Sequence, residues 1–86
     1  MTLKEFLSEN DHFAAGSGCK LTEVREGFAV AVMTVEPRHI NGGGVCQGGA
    51  MFTLADLALA AVMNTHGNLT LGIESTITFL KSAHLG

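Results

Sequence analysis

Asp56 is the only charged residue between Gly48 and Asn64, in the run GGAMFTLADLALAAVMN. Apolar residues fill almost every turn of that run, which predicts a helix buried on all its faces. An ionised carboxylate inside such a helix is costly unless it is paired or put to use. Aspartate is also a poor residue for a helix interior, so local propensity does not explain it. The preceding segment, HINGGGVCQGG, is a glycine-rich loop that delivers backbone N–H groups to a helix N-terminus. An acid about two turns inside that terminus is placed to act on whatever binds there.

Each of these residues also has a structural reading. Asp56 could be a buried carboxylate hydrogen-bonded to Thr53 or to a partner subunit. Asn41 could be a turn residue ahead of Gly42, Gly43 and Gly44, and Thr53 could bond its own helix. His39 reads as a residue that orients the loop or packs beneath it.

The elements that must position these groups are few. The chain has 86 residues, enough for one small domain over 1–86. A net charge of −3 with only five Lys and Arg provides no basic footprint for nucleic acid. With 47% hydrophobic and 15% charged residues the chain is expected to be globular. No apolar signal-peptide core is present at the N-terminus, and Ala50–Met63 is too short to cross a bilayer, so a cytoplasmic protein with no membrane partner is expected. Cys19 and Cys46 are too few and too far apart for a metal knuckle or a disulfide framework, and read as reduced packing residues. No zinc pattern, phosphate-binding loop or dinucleotide fingerprint occurs.

Thr2 and Glu5 have capping-box spacing, and Leu3, Phe6 and Leu7 share a face, predicting a short helix to about Asn10. Ala14–Gly18 reads as a loose connection. Residues 19–25 and 28–35 are expected to be two strands of a hairpin joined at Glu26-Gly27, with Pro37 closing the second. The long helix runs from about 47 or 48 to 64. Then Leu69, Leu71, Ile73, Ile77 and Phe79 alternate with polar or small residues, predicting a long strand over 69–80 with one face on a core. Three strands span only about 14 Å. They cannot wrap a helix about 10 Å thick on all sides. More strands are therefore expected from outside this chain or from another subunit.

His39-Ile40-Asn41, Gly44, Gly48-Gly49 and Leu54-Ala55-Asp56 together resemble the signature of hotdog-fold thioesterases of the phenylacetic-acid-degradation type. That signature is H-x-N-x-x-G-x-x-H-G-G, followed by a carboxylate eight residues after the first paired glycine, as Asp56 follows Gly48. The similarity extends to the Gly18–Gly27 hairpin and the segment Ile73–Leu80. It implies an α+β hotdog fold, a long central helix wrapped by a curved antiparallel sheet, with the C-terminal strands absent from this chain. It further implies a homodimer or homotetramer with the active site at the subunit interface, an acyl-CoA substrate, and neither metal nor other cofactor.

The chemistry implied by that resemblance is thioester hydrolysis. A thioester carbonyl over the Gly48 N–H would meet an unsatisfied donor at the positive end of the helix dipole, an interaction that strengthens as the oxyanion forms. Asp56 would act as general base on water or as nucleophile, and Asn41 would orient the water or the thioester group. His39, Gln47, Gly49, Thr53 and Gly72 are the candidate substrate-binding positions. Two of them depart from the pattern: Gln47 replaces the usual histidine, and Gly72 replaces a common serine or threonine. Two alternatives stand beside this expectation. One is a non-catalytic acyl-CoA-binding or assembly module. The other is a hotdog dehydratase acting on acyl thioesters, for which His39 would have to pair with an acid.

Overall fold

Thr2 opens the first helix as its spacing to Glu5 suggests: its hydroxyl accepts the Glu5 N–H at 3.1 Å, and the Glu5 carboxylate accepts the Thr2 N–H at 3.2 Å. These bonds to Thr2 hold the Glu5 carboxyl below its ordinary range. In the computed structural model, which describes residues 1–68 and 70–86, this helix is α1, Leu3–Asn10. Asp11 then caps a second, five-residue helix α2, His12–Gly16, by accepting the Ala14 N–H at 3.1 Å. The expected loose connection therefore contains a helical turn, and Asp11 is its local cause.

Strands β1, Lys20–Arg25, and β2, Phe28–Val32, pair antiparallel from Lys20↔Val32 to Arg25↔Phe28, with a register irregularity between Leu21 and Glu23. Gly27 makes the turn at φ +70°, a conformation that favours glycine. Its N–H donates to the Thr65 hydroxyl at 3.1 Å, tying the hairpin tip to the far end of the long helix. A 3₁₀ turn, Pro37–His39, follows β2, and α3 runs Gly48–Asn64.

The core lies between α3 and the hairpin, with α1 and α2 closing one end. Ala14, Cys19, Leu21, Leu57 and Ala61 are buried there, backed by Leu7, Val24, Ala29, Ala31, Met33 and Leu54. Cys19 and Cys46 are both buried free thiols, and burial pushes the Cys19 pKa up.

Two expectations are corrected. First, α3 is not buried on all sides: only Leu57 and Ala61 are fully enclosed, Leu59 is 41% exposed, and Asp56 is exposed. A two-stranded sheet is about 10 Å wide and covers one face of a helix. Second, residues 70–80 form no regular strand, and Leu69 lies outside the described residues. Ile73 is fully exposed and only Ile77 of the alternating set is half-buried. A strand exists through its ladder partner. Here the chain instead docks through single contacts: Thr70 N–H to Asn64 Oδ1 at 2.9 Å, Cys46 N–H to the Ala83 carbonyl at 2.8 Å, and Gly86 N–H to the Val35 carbonyl at 3.1 Å.

Candidate active site

Among the described residues, the N-terminus of α3 leaves one backbone N–H without a partner. Gln47 is the N-cap, its side-chain oxygen accepting the Gly49 N–H. Its carbonyl accepts from Ala50 and Met51 at 3.0 and 3.3 Å. The Gly48 N–H, by contrast, makes no hydrogen bond among the described residues. A Cβ at 48 would stand 2.8 Å from the tip of the half-exposed Phe79 ring, so glycine lets that ring lie against the helix start. Gly48, Asn41, Val45, Cys46, Met51 and Phe79 line a cavity of about 430 Å³.

Asn41 borders that cavity while building the loop. Its side-chain oxygen accepts the N–H groups of Gly43 at 2.8 Å and Val45 at 3.3 Å, and its own N–H donates to the Val45 carbonyl at 2.8 Å. The turn role is thus observed, and it sets the residue beside Gly48. His39 is 5% exposed, and both its ring nitrogens meet backbone: Nδ1 accepts the Glu36 N–H at 2.9 Å and Nε2 lies 2.7 Å from the Ser17 carbonyl. The sequence offered two readings of His39, orienting the loop or binding substrate, and these contacts accord with the first. The ring has no polar atom left for substrate, so its part is to hold the loop.

Asp56 lies elsewhere. It borders one cavity of about 270 Å³ with Asp11, Phe13, Gly49, Phe52 and Thr53. It also borders a larger one, about 480 Å³, whose walls include Leu3, Phe6, Leu7, Ala60, Met63 and Gly72. Thr53 donates to the Gly49 carbonyl at 2.8 Å, so its hydroxyl proton serves its own helix and not Asp56. A Cβ at Gly72 would meet only Met63 Cε, at 3.9 Å, leaving room for a side chain there.

Eight residues on one helix separate Gly48 from Asp56 by roughly 12 Å along the axis and about 80° around it. One carbonyl cannot touch both groups of the same chain. The sequence placed the acid about two turns inside the terminus, and the geometry turns that spacing into separate cavities within one chain. Sequence reasoning missed the α1 wall and the Phe79 ring against Gly48; Leu3, Phe6 and Leu7 were legible only as an apolar helix face. Among the described residues no cluster of three or more His, Cys, Asp and Glu could hold a metal, and no helix is long and apolar enough to cross a membrane.

A long helix entered through glycines and laid on an antiparallel hairpin is the framework of the hotdog fold. The chain belongs to the thioesterase superfamily, whose family model matches residues 43–86. It is 40% identical over 84 residues to a protein of Archaeoglobus fulgidus named "Putative esterase", covering 98% of this chain and 54% of that one. It is also 40% identical over 80 residues to the acyl-coenzyme A thioesterase PaaI of Escherichia coli, covering 93% and 57%. The solved structure of the E. coli PaaI protein from the phenylacetic acid degradation operon superposes with a TM-score of 0.89 at 38% identity, over 95% of this chain and 59% of that one. The TT0310 protein of Thermus thermophilus superposes with a TM-score of 0.83 at 28% identity, over 90% and 65%. The chain thus spans a little over half the length of the curated relatives it matches.

Proposed function

We propose that the protein hydrolyses acyl-CoA thioesters to free acid and CoA, in a site that two copies of the chain build together. The observation that carries this reading is the free Gly48 N–H at the start of α3, with an acid eight residues on. The thioester carbonyl binds over that N–H, where partial positive charge and an unused donor stabilise the oxyanion of the tetrahedral intermediate. Asn41, on the rim of the same cavity, orients the thioester group or the water.

Since Asp56 of the same chain is too far from that carbonyl, the acid comes from the second copy. It removes a proton from the attacking water and the CoA thiolate leaves, or it adds to the carbonyl itself, expelling the thiolate and leaving an acyl–aspartyl anhydride that water then hydrolyses to the free acid. The exposed apolar faces of α3 and of residues 70–80 are what the second copy covers. The acyl group occupies the space beside Asp56, between α1 and α3, where Phe6, Leu7, Ala60 and Met63 favour a neutral, apolar chain or ring. In support, a relative at 40% identity is named an acyl-coenzyme A thioesterase. Residues 1–86 act in this reading as one hotdog unit.

The binding-module alternative retains one observation in its favour: Gly72 supplies no hydroxyl beside Asp56. The dehydratase alternative needs a histidine facing an acid, and both nitrogens of His39 are held by backbone groups.

The test is release of CoA thiol from a panel of acyl-CoA esters, on this chain and on any longer natural form, with Asp56→Asn alongside. Loss of turnover with retained ester binding is expected. Unchanged turnover in Asp56→Asn sinks the hydrolase reading. Shared assembly has its own test: Gly48→Pro and Asp56→Asn, each strongly impaired alone, should regain activity when mixed and reassembled. No recovery would place both groups in one chain's site.

A further inference from the structure

His39 ties together three parts of the chain that are far apart in sequence. Its ring reaches back 22 residues to the Ser17 carbonyl in the α2–β1 connection. Its Nδ1 accepts the Glu36 N–H that opens the 3₁₀ turn, and its own carbonyl accepts the Gln47 N–H at 2.6 Å. Gln47 is the residue before Gly48, and the bridge Ile40↔Cys46 closes the loop that contains Asn41. The stem of the catalytic loop is thus anchored to the rest of the fold through one buried imidazole.

That pair of bonds fixes the proton. A backbone N–H can only donate, so Nδ1 must present its lone pair to Glu36. A carbonyl can only accept, so Nε2 must carry the hydrogen toward Ser17. Protonating the ring would set an N–H against the Glu36 N–H and abolish that bond.

We propose that His39 is a positioning residue which holds the Asn41–Gly48 loop only as the neutral Nε2–H imidazole, so that a proton added to the ring breaks its bond to the Glu36 N–H and loosens the oxyanion donor. Glu36 and Arg38, on the same turn, are paired with each other at 2.8 Å, and Arg38 also donates to the Gly16 carbonyl at 2.6 Å. The other charged groups at this junction are Asp11, which caps α2, and Lys20, which lines a cavity with Gly18, Glu36 and Arg38. The buried Cys19 and Cys46 thiols are nearby, and the 82–86 segment that bonds Val35 and Cys46 adds the exposed His84. None of these supplies an acceptor that could replace Nδ1 for the Glu36 N–H in the hydrogen bonds described.

The consequence for turnover rests on the thioesterase reading; the tautomer and the loop order do not. The experiment on the assembled protein has two arms. Nitrogen NMR of the imidazole at neutral pH should show the Nε2–H tautomer. Amide exchange across residues 40–48, corrected for intrinsic rates, should speed up about tenfold at about pH 5, with the Leu57 and Ala61 amides as the fold reference. His39→Asn retains an oxygen for the Glu36 N–H but cannot titrate, so it should show no acid-dependent loss, while His39→Ala is loose at both pH values. In turnover, His39→Ala should lower kcat more than it raises KM, with partial rescue in His39→Asn. An Nδ1–H or doubly protonated ring at neutral pH with an ordered loop overturns the proposal. So does a His39→Asn protein with the same acid response as the wild type.

Discussion

The two ends of the candidate site are built in opposite ways. At the start of α3, backbone groups are held by a dense set of local bonds: Asn41 cross-links its own loop, Gln47 caps the helix, and buried His39 anchors the stem. Around Asp56 the side chain is exposed, and the space between α1 and α3 is open. The difference follows from what each end must provide. A backbone donor can be placed accurately by one chain through its own hydrogen bonds. In the proposed two-copy site, the carboxylate and the room for an acyl group would be completed only by the second copy.

The sharpest way to break this comparison is at Asp56. Asp56→Asn should lower turnover by about 10³-fold or more. It should change stability by less than about 0.5 kcal/mol, because an exposed side chain loses no native partner. Urea unfolding beside a CoA-release assay checks both; a large loss of stability would show that Asp56 is structural.

Its neighbour should behave in reverse. Leu57 is 3% exposed against the hairpin. Leu57→Ala should cost about 2–5 kcal/mol in the same unfolding experiment. Activity at a temperature where the protein remains folded should be nearly retained.

At the other end, Gly48→Pro removes the donor at a first helical position that suits proline. Its Cβ must displace the half-exposed Phe79 ring, so Gly48→Ala, which keeps the N–H, is the steric control. For Gly48→Pro a fall in kcat of about 10²-fold is expected, with helix content by circular dichroism unchanged. An unaffected kcat would mean the oxyanion is held elsewhere. The smallest effect is expected at Gly72→Ser. Its Cβ meets only Met63 Cε at 3.9 Å, so the protein should remain as stable and turnover should change by only about a few fold. A large loss would show that the cavity beside Asp56 has no space to spare.

The first helix, the hairpin and α3 were legible because each carries a local cause: the Thr2–Glu5 box, Gly27 at the turn, and the entry at Gln47-Gly48. The segment 70–80 was not, because alternation states which residues could share a face, while a ladder needs a neighbour that β1 and β2 do not supply. The α2 turn was missed for a smaller reason: one capping bond from Asp11 outweighs the glycines around it.

For the site, the sequence by itself determined that a glycine-entered helix carries an acid eight residues from its start, since residue type and spacing are properties of the chain. Only the tertiary structure decided which donor is free, that His39 is spent on backbone, and that Asp56 and Gly48 open onto different cavities. Hydrogen-bond partners and the direction a helix residue faces depend on what packs alongside, and that is written in no single stretch of residues.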